Sequence, residues 1–201
     1  MLEEEYQPRR VLPRHLRKAP EPEAPFAFAI REATAADLPW VREIYNHYVA
    51  NSTVTFDEKP WTLRALTVKF GKVRKLGYPF LVAESPSGVI LGFAYVYPWK
   101  EKAAYRFTVE NSIYLDPSFH RRGIGALLLE RLIVECEARG FRQMIAVIGD
   151  SANAGSIGVH TKGGFKMIGT HPSVGLKFGR WLDTVMMQRD LGEGASTVPG
   201  K

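Results

Sequence analysis

The segment between residues 120 and 126 combines residue types that bind phosphate: His120-Arg121-Arg122-Gly123-Ile124-Gly125-Ala126. Two glycines follow two arginines, between a β-like run at residues 108–115 and a helical run. Glycine permits positive φ and a close approach of the backbone to a ligand. The first turn of a helix leaves N–H groups unpaired, and the helix dipole favours an anion there. The segment therefore predicts a cradle for a phosphate-bearing cofactor.

An ordinary turn is the alternative, because Gly-x-Gly between a strand and a helix also occurs without a ligand. The segment lacks the third glycine of the dinucleotide-binding pattern and the Gly-Lys-Ser/Thr of the Walker pattern. A cofactor that binds here is thus expected to be of another kind.

Composition indicates one globular domain with a proper core. The chain has 201 residues, of which 45% are hydrophobic and 24% charged. No apolar run approaches the ~18 residues of a membrane span, and the N-terminus lacks the apolar region of a secretory signal. The single cysteine, Cys136, excludes an internal disulfide and a multi-cysteine metal site. We expect a cytoplasmic protein in which Cys136 is a small buried side chain, a catalytic thiol being the alternative.

The net charge of +6 lies within residues 26–201, because residues 1–25 contain five basic and five acidic side chains. A basic domain attracts nucleic acid, or equally a small polyanionic cofactor. Charge alone leaves both possibilities open.

The elements that must position the phosphate loop follow a mixed α/β order. Residues 1–25 hold five of the 13 prolines and are predicted to be a flexible arm, followed by one domain over 26–192 and a disordered tail over 193–201. The predicted elements are strand 26–31, a helix capped by Thr34, an extended loop at 52–56, a helix from Thr62 to about Gly77, strands 80–84, 89–99 and 105–115, a helix to about Arg139, strand 144–148, a helix from about Asn153 to Lys162, and strands 165–170 and 181–189.

Several separated motifs resemble one enzyme family. The glycine loop, Asn153 and His160-Thr161-Lys162-Gly163-Gly164-Phe165 are similar to the GNAT superfamily of acetyl-CoA-dependent N-acetyltransferases. Within it, Tyr-Asn-His-Tyr (45–48), Ser-Thr-Val-Thr-Phe (52–56), Tyr-Pro-Trp-Lys (97–100), Thr-Val-Glu-Asn-Ser-Ile-Tyr-Leu (108–115) and Lys-Phe-Gly-Arg-Trp (177–181) resemble the phosphinothricin and methionine sulfoximine acetyltransferases. The resemblance covers roughly residues 26–192. It implies a mixed, mostly antiparallel central sheet flanked by helices, acetyl-CoA as acyl donor, no metal, and a homodimer.

The resemblance also implies how the cofactor is held. The end of the central strand would pair its backbone with the pantetheine arm, as an added strand does, and an N–H near Leu115 would stabilise an oxyanion. Asn153 would complete the clamp or act as an ordinary helix cap. His120 stands where the family carries Gln or Arg, so one side-chain contact to the pyrophosphate is in question while the backbone cradle is retained. The implied cofactor-binding residues are Ile113, Tyr114, Leu115, Arg121, Arg122, Gly123, Ile124, Gly125, Ala126 and Asn153.

Acetyl transfer to an amine needs a base, because amines are protonated at neutral pH. By resemblance Glu110 is that base, with a cross-strand ion pair as its alternative role. His160 would protonate the departing thiolate, or is simply a packed helix residue. The predicted acceptor site comprises Phe56, Thr108 and Glu110, with Trp99 and Lys177 as lesser candidates. Lys177 or Arg180 would pair with an acceptor carboxylate or phosphinate, or is an ordinary surface cation.

The expected function is acetylation of the α-amino group of a small amino acid analogue by direct transfer, without nucleic acid or membrane as partner. One alternative keeps the fold but acetylates a protein N-terminus, a lysine or a polyamine. Another is a non-catalytic acyl-CoA sensor or nucleic-acid-binding module that uses the basic surface.

Overall fold

The computed structural model describes residues 26–200, which form a seven-stranded sheet and four α-helices. The flexible arm predicted over residues 1–25 lies outside the described residues. The element order agrees with the sequence prediction. In chain order the elements are β1 (Ala29–Glu32), α1 (Leu38–Asn51), α2 (Leu63–Lys75), β2 (Phe80–Glu84), β3 (Ile90–Pro98), β4 (Thr108–Leu115), α3 (Ile124–Ala138), β5 (Gln143–Gly149), α4 (Ala154–Lys162), β6 (Lys166–Lys177) and β7 (Arg180–Asp190).

Polar caps begin three of the helices where the sequence predicts them. Thr34 opens a reciprocal capping box ahead of α1. The hydroxyl of Thr62 accepts a hydrogen bond from the Ala65 N–H at 3.1 Å. The amide oxygen of Asn153 accepts one from the Ser156 N–H, also at 3.1 Å. Each bond satisfies an N–H that has no partner within its helix.

The sheet opens in its middle. Its order is β1-β2-β3-β4-β5-β7-β6, and every neighbouring pair is antiparallel except β4 with β5. That parallel pairing covers only residues 108–111 of β4 and 143–146 of β5. Beyond it, residues 112–115 and 147–149 continue as strands without pairing to each other. The predicted mixed, mostly antiparallel sheet is confirmed, and the opening creates a cleft through it.

Two apolar cores cover the two faces of the sheet. One includes Leu128, Leu132 and Cys136 of α3, and the other includes Leu66 of α2 and Phe80 of β2. Burial raises the pKa of the Cys136 thiol to about 12. The thiol therefore stays protonated at neutral pH, and the predicted packing role is confirmed over a nucleophilic one.

Three strand boundaries differ from the prediction by three residues or more, and the others agree to within one residue. β1 begins three residues later, at Ala29, and β4 also begins three residues later, after the 3-10 turn Ala103–Tyr105. β6 extends to Lys177, seven residues beyond its predicted end. Its pairing register with β7 shifts at residues 171–175 and then resumes. This irregularity accommodates a proline, which has no N–H for the ladder.

No helix within residues 26–200 is long and apolar enough to cross a membrane. After β7 the chain forms turns, in one of which the Ser196 N–H bonds to the Glu193 carbonyl at 3.0 Å. Disorder of the tail over residues 193–201 stays a prediction.

Gly92 of β3 is needed for the end of β4 to approach. A Cβ at this position would lie 2.6 Å from Leu115 Cδ2 and 2.8 Å from the Tyr114 carbonyl oxygen. We expect Gly92→Ala to lower the free energy of unfolding by about 1–3 kcal/mol through overpacking. As a control, Gly71→Ala on α2, where a Cβ meets nothing within 4 Å, should raise it by about 0.5–1 kcal/mol. Urea unfolding of both variants measures this, and equal shifts would contradict the prediction.

Candidate active site

A cleft of about 640 Å³ occupies the opening between β4 and β5. Its walls come from both strands, the loop at residues 52–56, the glycine loop and α4. It brings together nine of the residues predicted for the site: Phe56, Glu110, Ile113, Tyr114, Leu115, Arg121, Gly125, Asn153 and His160. The other predicted residues, Thr108, Arg122, Gly123, Ile124 and Ala126, lie outside its lining.

The unpaired stretch of β4 supplies backbone groups to the cleft. Residues 112–115 are bonded to β3 on one side, where the register pairs Ser112 with Tyr95 and Leu115 with Gly92. On the other side β5 has already diverged. Alternate N–H and C=O groups of this stretch therefore face the cleft, where an extended amide-bearing ligand can pair with them.

The glycine loop has the geometry of an anion cradle. Arg121 and Gly123 both adopt left-handed backbone, with φ of +62° and +79°. Left-handed residues within such a turn direct successive N–H groups to one concave side, where the first turn of α3 adds its own. Ile124 is fully buried and anchors the loop to the core below. The Arg122 guanidinium lies over Phe26, 4.5 Å from the ring centroid, which places Arg122 outside the cleft.

His120 contacts Tyr48, which belongs to the Tyr-Asn-His-Tyr motif but is not among the predicted site residues. Its Nε2 lies 2.8 Å from the hydroxyl of Tyr48 on α1, and that hydroxyl donates to the Leu115 carbonyl at 2.5 Å. A hydroxyl has one proton, so His120 Nε2 must be protonated and donate to it. Burial raises the pKa of Tyr48 to about 12, which keeps this proton in place. The pair links the glycine loop, α1 and the end of β4.

Glu110 lies on β4, opposite Tyr97 of β3, where the parallel pairing with β5 nears its end. The eight ion pairs of the described residues do not include it, so its alternative role as an ion-pair partner is not found. Partial burial raises the pKa of its carboxyl group, and the positive charges of Lys69 and Lys100 oppose this rise. A carboxylate with a raised pKa is suited to accept a proton from an amine.

His160 on α4 is buried, and both of its ring nitrogens face oxygen atoms. Nδ1 lies 2.8 Å from the Ser156 carbonyl, and Nε2 lies 3.0 Å from Oδ1 of Asn111. Asn111 is held in this orientation because its amide nitrogen donates to the Ile145 carbonyl at 3.3 Å. Two acceptors favour the doubly protonated ring, whereas burial lowers the pKa of His160.

The wall at residues 52–56 packs against β6 on the side away from the cleft. The Phe56 ring fills the space where Gly175 would carry a Cβ, and it would lie 3.1 Å from a Cβ at Gly149. The Lys177 ammonium is buried and donates to the carbonyls of Ser52 and Thr55 at 2.8 and 2.7 Å. Lys177 is therefore a support for the wall, and its predicted role as an acceptor cation is wrong.

Two other residues predicted to contact the acceptor, Thr108 and Arg180, lie outside the cleft. Thr108 lies at the start of β4, opposite Gln143, away from the open part of the sheet. Arg180 is exposed at the start of β7 and does not line the cleft. Neither side chain lines the cleft.

Comparisons with known proteins agree with this geometry. The model of the acetyltransferase (GNAT) family matches residues 41–165. The chain is 43% identical to the phosphinothricin N-acetyltransferase of Alcaligenes faecalis over 86% of its own length and 87% of that protein. It is 42% identical to the L-methionine sulfoximine/L-methionine sulfone acetyltransferase of Pseudomonas paraeruginosa, over 81% of this chain and 94% of that one.

A solved structure of an acetyltransferase has the same fold as this chain. The chain superposes on the phosphinothricin acetyltransferase from Sinorhizobium meliloti, crystallised in complex with acetyl-CoA, with a TM-score of 0.84 and 44% identity. The match covers 87% of this chain and 94% of that one. From the split sheet, the glycine loop and these similarities together, the chain belongs to the acetyltransferase (GNAT) family.

Proposed function

We propose that this acetyltransferase transfers the acetyl group of acetyl-CoA to the α-amino group of a small amino acid analogue of the phosphinothricin or methionine sulfoximine class. The observation that carries the proposal is the continuous path from the glycine loop, along the unpaired edge of β4, to the half-buried Glu110. This path offers an anion cradle, an amide-pairing edge and a base in the order that the donor and acceptor require. The names of the similar enzymes support the choice of acceptor.

The residues present fit the donor. The N–H groups of the loop and of the first turn of α3 would hold its pyrophosphate, with the Arg121 guanidinium beside them. The backbone of residues 113–115 would pair with the pantetheine amides, and Asn153 would close the other wall. His120 donates to Tyr48, so the pyrophosphate grip relies on backbone groups and arginine. Bound acetyl-CoA supplies a thioester carbonyl for attack.

Glu110 and His160 divide the proton transfers. Glu110 accepts a proton from the acceptor ammonium, directly or through a water molecule, and thereby frees the lone pair that forms the new N–C bond. As the C–S bond breaks, the attacking nitrogen gives up its second proton, and His160 relays a proton to the leaving thiolate. No covalent enzyme intermediate is needed, because the two substrates meet in one cleft and positioning supplies much of the acceleration.

We also propose that the enzyme is a homodimer and that it is located in the cytoplasm. The outer surface of β6, β7 and their turn exposes a group of large apolar side chains, which is the kind of surface that a second copy covers. The one cysteine suits a reducing compartment. Light scattering in solution should give twice the 22.6 kDa of one chain. The exposed apolar side chains are Ile168, Val174, Leu176, Phe178 and Trp181.

The function is tested by release of free thiol from acetyl-CoA. We expect release to depend on added phosphinothricin or methionine sulfoximine, and mass spectrometry should show one acetyl group on the acceptor amine. A polyamine, a free lysine and a peptide with a free N-terminus serve as the comparison panel. Background thiol release with saturating amounts of both analogues, or preferential acetylation of the panel, would refute the choice of acceptor.

Replacement of the base should slow the chemical step. We expect Glu110→Gln to lower kcat by about 100- to 10,000-fold, because a general base contributes that much. Glu130→Gln, on the exposed face of α3, is the matched control and should retain activity. Since burial raises the pKa of Glu110 above 4.5, the acid limb of kcat/KM should fall at a pH above that value and be absent from Glu110→Gln. Unchanged turnover across pH would remove Glu110 from the mechanism.

The glycine loop can be tested through backbone strain. A side chain at φ +79° is strained by about 1–2 kcal/mol, so Gly123→Ala should raise the KM for acetyl-CoA by about 5- to 30-fold and leave the acceptor KM unchanged. Gly140→Ala introduces the same strain at the far end of α3, at φ +80° and with a Cβ in open space. The cradle assignment fails if both variants affect the KM for acetyl-CoA alike.

A further inference from the structure

An acceptor that is an α-amino acid brings a carboxylate next to the amine that Glu110 deprotonates. The site then needs a cation within the width of one amino acid from Glu110, and this inference rests on the proposed function. Two cations act electrostatically on Glu110, Lys69 of α2 and Lys100 of the loop after β3. The previously expected cation, Lys177, is held by two backbone carbonyls.

Lys69 is held in place by aromatic rings from β3 and from the loop before α2. Its Nζ lies 4.6 Å from the centroid of Trp61, 4.8 Å from that of Tyr95 and 5.8 Å from that of Tyr97. Tyr97 is the register partner of Glu110 across β3 and β4. The ammonium group therefore sits over the same face of the sheet as the Glu110 carboxylate, and it is fixed there by cation–π contacts.

The Lys69 ammonium has no hydrogen-bond acceptor or ion-pair partner among residues 26–200. Asp57 is the other nearby anion, but its Oδ2 already accepts from the Tyr45 hydroxyl and the Trp61 indole N–H. Burial lowers the pKa of Lys69, and the charges of Asp57 and Glu110 oppose this. A partly desolvated ammonium without an acceptor is costly, and an incoming anion removes that cost.

Lys100 is the weaker candidate of the two. It is exposed, and its Nζ lies over Trp99 at 4.4 Å from the ring centroid. A single aromatic contact in an exposed loop leaves the side chain more freedom, so more conformational entropy is lost when it binds a ligand.

We propose that Lys69 binds the α-carboxylate of the acceptor while Glu110 receives the proton of its ammonium group. This two-point recognition selects amino acids over amines. A polyamine has no carboxylate, and the carboxylate of a peptide lies far from its N-terminal amine. Lys69 thus determines the substrate class of the enzyme.

The experiment compares two acceptors in variants of Lys69, Lys72 and Lys100. L-Methionine sulfoximine and its carboxamide have nearly equal size but differ in the charge that Lys69 would contact. With saturating acetyl-CoA, we expect Lys69→Met to raise the KM for the amino acid by about 10- to 100-fold, the loss expected for a charge-assisted hydrogen bond, and to change the KM for the carboxamide less than 3-fold. Lys69→Arg should retain most of the affinity for the amino acid. Lys72→Met removes an exposed charge from the same helix and should behave as the unaltered enzyme.

The outcomes separate the possibilities. Equal losses for both acceptors in Lys69→Met would mean that the lysine only supports the fold, and the assignment would be overturned. If Lys100→Met removes the preference for the carboxylate and Lys69→Met keeps it, the assignment is likewise overturned. If the unaltered enzyme turns over neither acceptor, the proposed function itself fails and this inference fails with it. Lys69→Gln repeats the comparison should Lys69→Met not fold, which urea unfolding and acetyl-CoA affinity detect.

Discussion

The separation of β4 from β5 is the feature on which the rest of the site depends. If the two strands were paired to their ends, the N–H and C=O groups of residues 112–115 that face β5 would be hydrogen-bonded to that strand. No cleft would then cross the sheet. Pairing over residues 108–111 alone keeps the sheet continuous while it leaves that edge open. The opening also connects the two faces of the sheet, which lets Glu110 and His160 reach one cleft from different sides.

The two strands that flank the opening, β4 and β5, both contact the segment from Tyr48 to Phe56, which runs from the end of α1 into the following loop. On the β4 side, Tyr48 donates to the Leu115 carbonyl. On the β5 side, a Cβ at Gly149 would lie 2.9 Å from the Thr53 carbonyl oxygen, so the loop at residues 52–56 rests directly on the end of that strand. Lys177 holds this loop from β6 through two carbonyls. The unpaired backbone groups of the two strands favour pairing, which would close the cleft. Packing of this short segment against both strands keeps them apart.

Much of the fold was predictable because its signals are local. Thr34, Thr62 and Asn153 cap helices by bonds to residues three positions away, and apolar spacing marks the buried faces. The length of β6 was not predictable, because a proline within residues 171–175 indicates a strand end and only pairing with β7 continues the strand beyond it. Tertiary pairing decided that boundary against the local preference.

The site was predictable to the extent that motifs carry it. Glu110, His160 and the glycine loop lie in segments whose residue types are unusual for their position, and the family resemblance adds their roles. Tyr48 lies in the Tyr-Asn-His-Tyr motif, but the motif does not indicate what Tyr48 contacts, and Lys69 belongs to no motif. Each fits the pattern of an amphipathic helix, as a core-facing aromatic and a solvated cation. Their importance comes from partners far away in the chain, such as the Leu115 carbonyl at a separation of 67 residues.

The substitution at position 120 shows how these levels combine. A Gln or Arg there would direct a polar side chain to the pyrophosphate, whereas His120 donates to Tyr48 and so joins the loop to α1. Anion binding by backbone N–H groups depends on the position of the loop, which the hydrogen bond between His120 and Tyr48 fixes. Arg121, whose backbone is left-handed, follows His120 directly. In the proposed mode of cofactor binding, a side-chain contact to the ligand is thereby exchanged for a contact that positions the backbone.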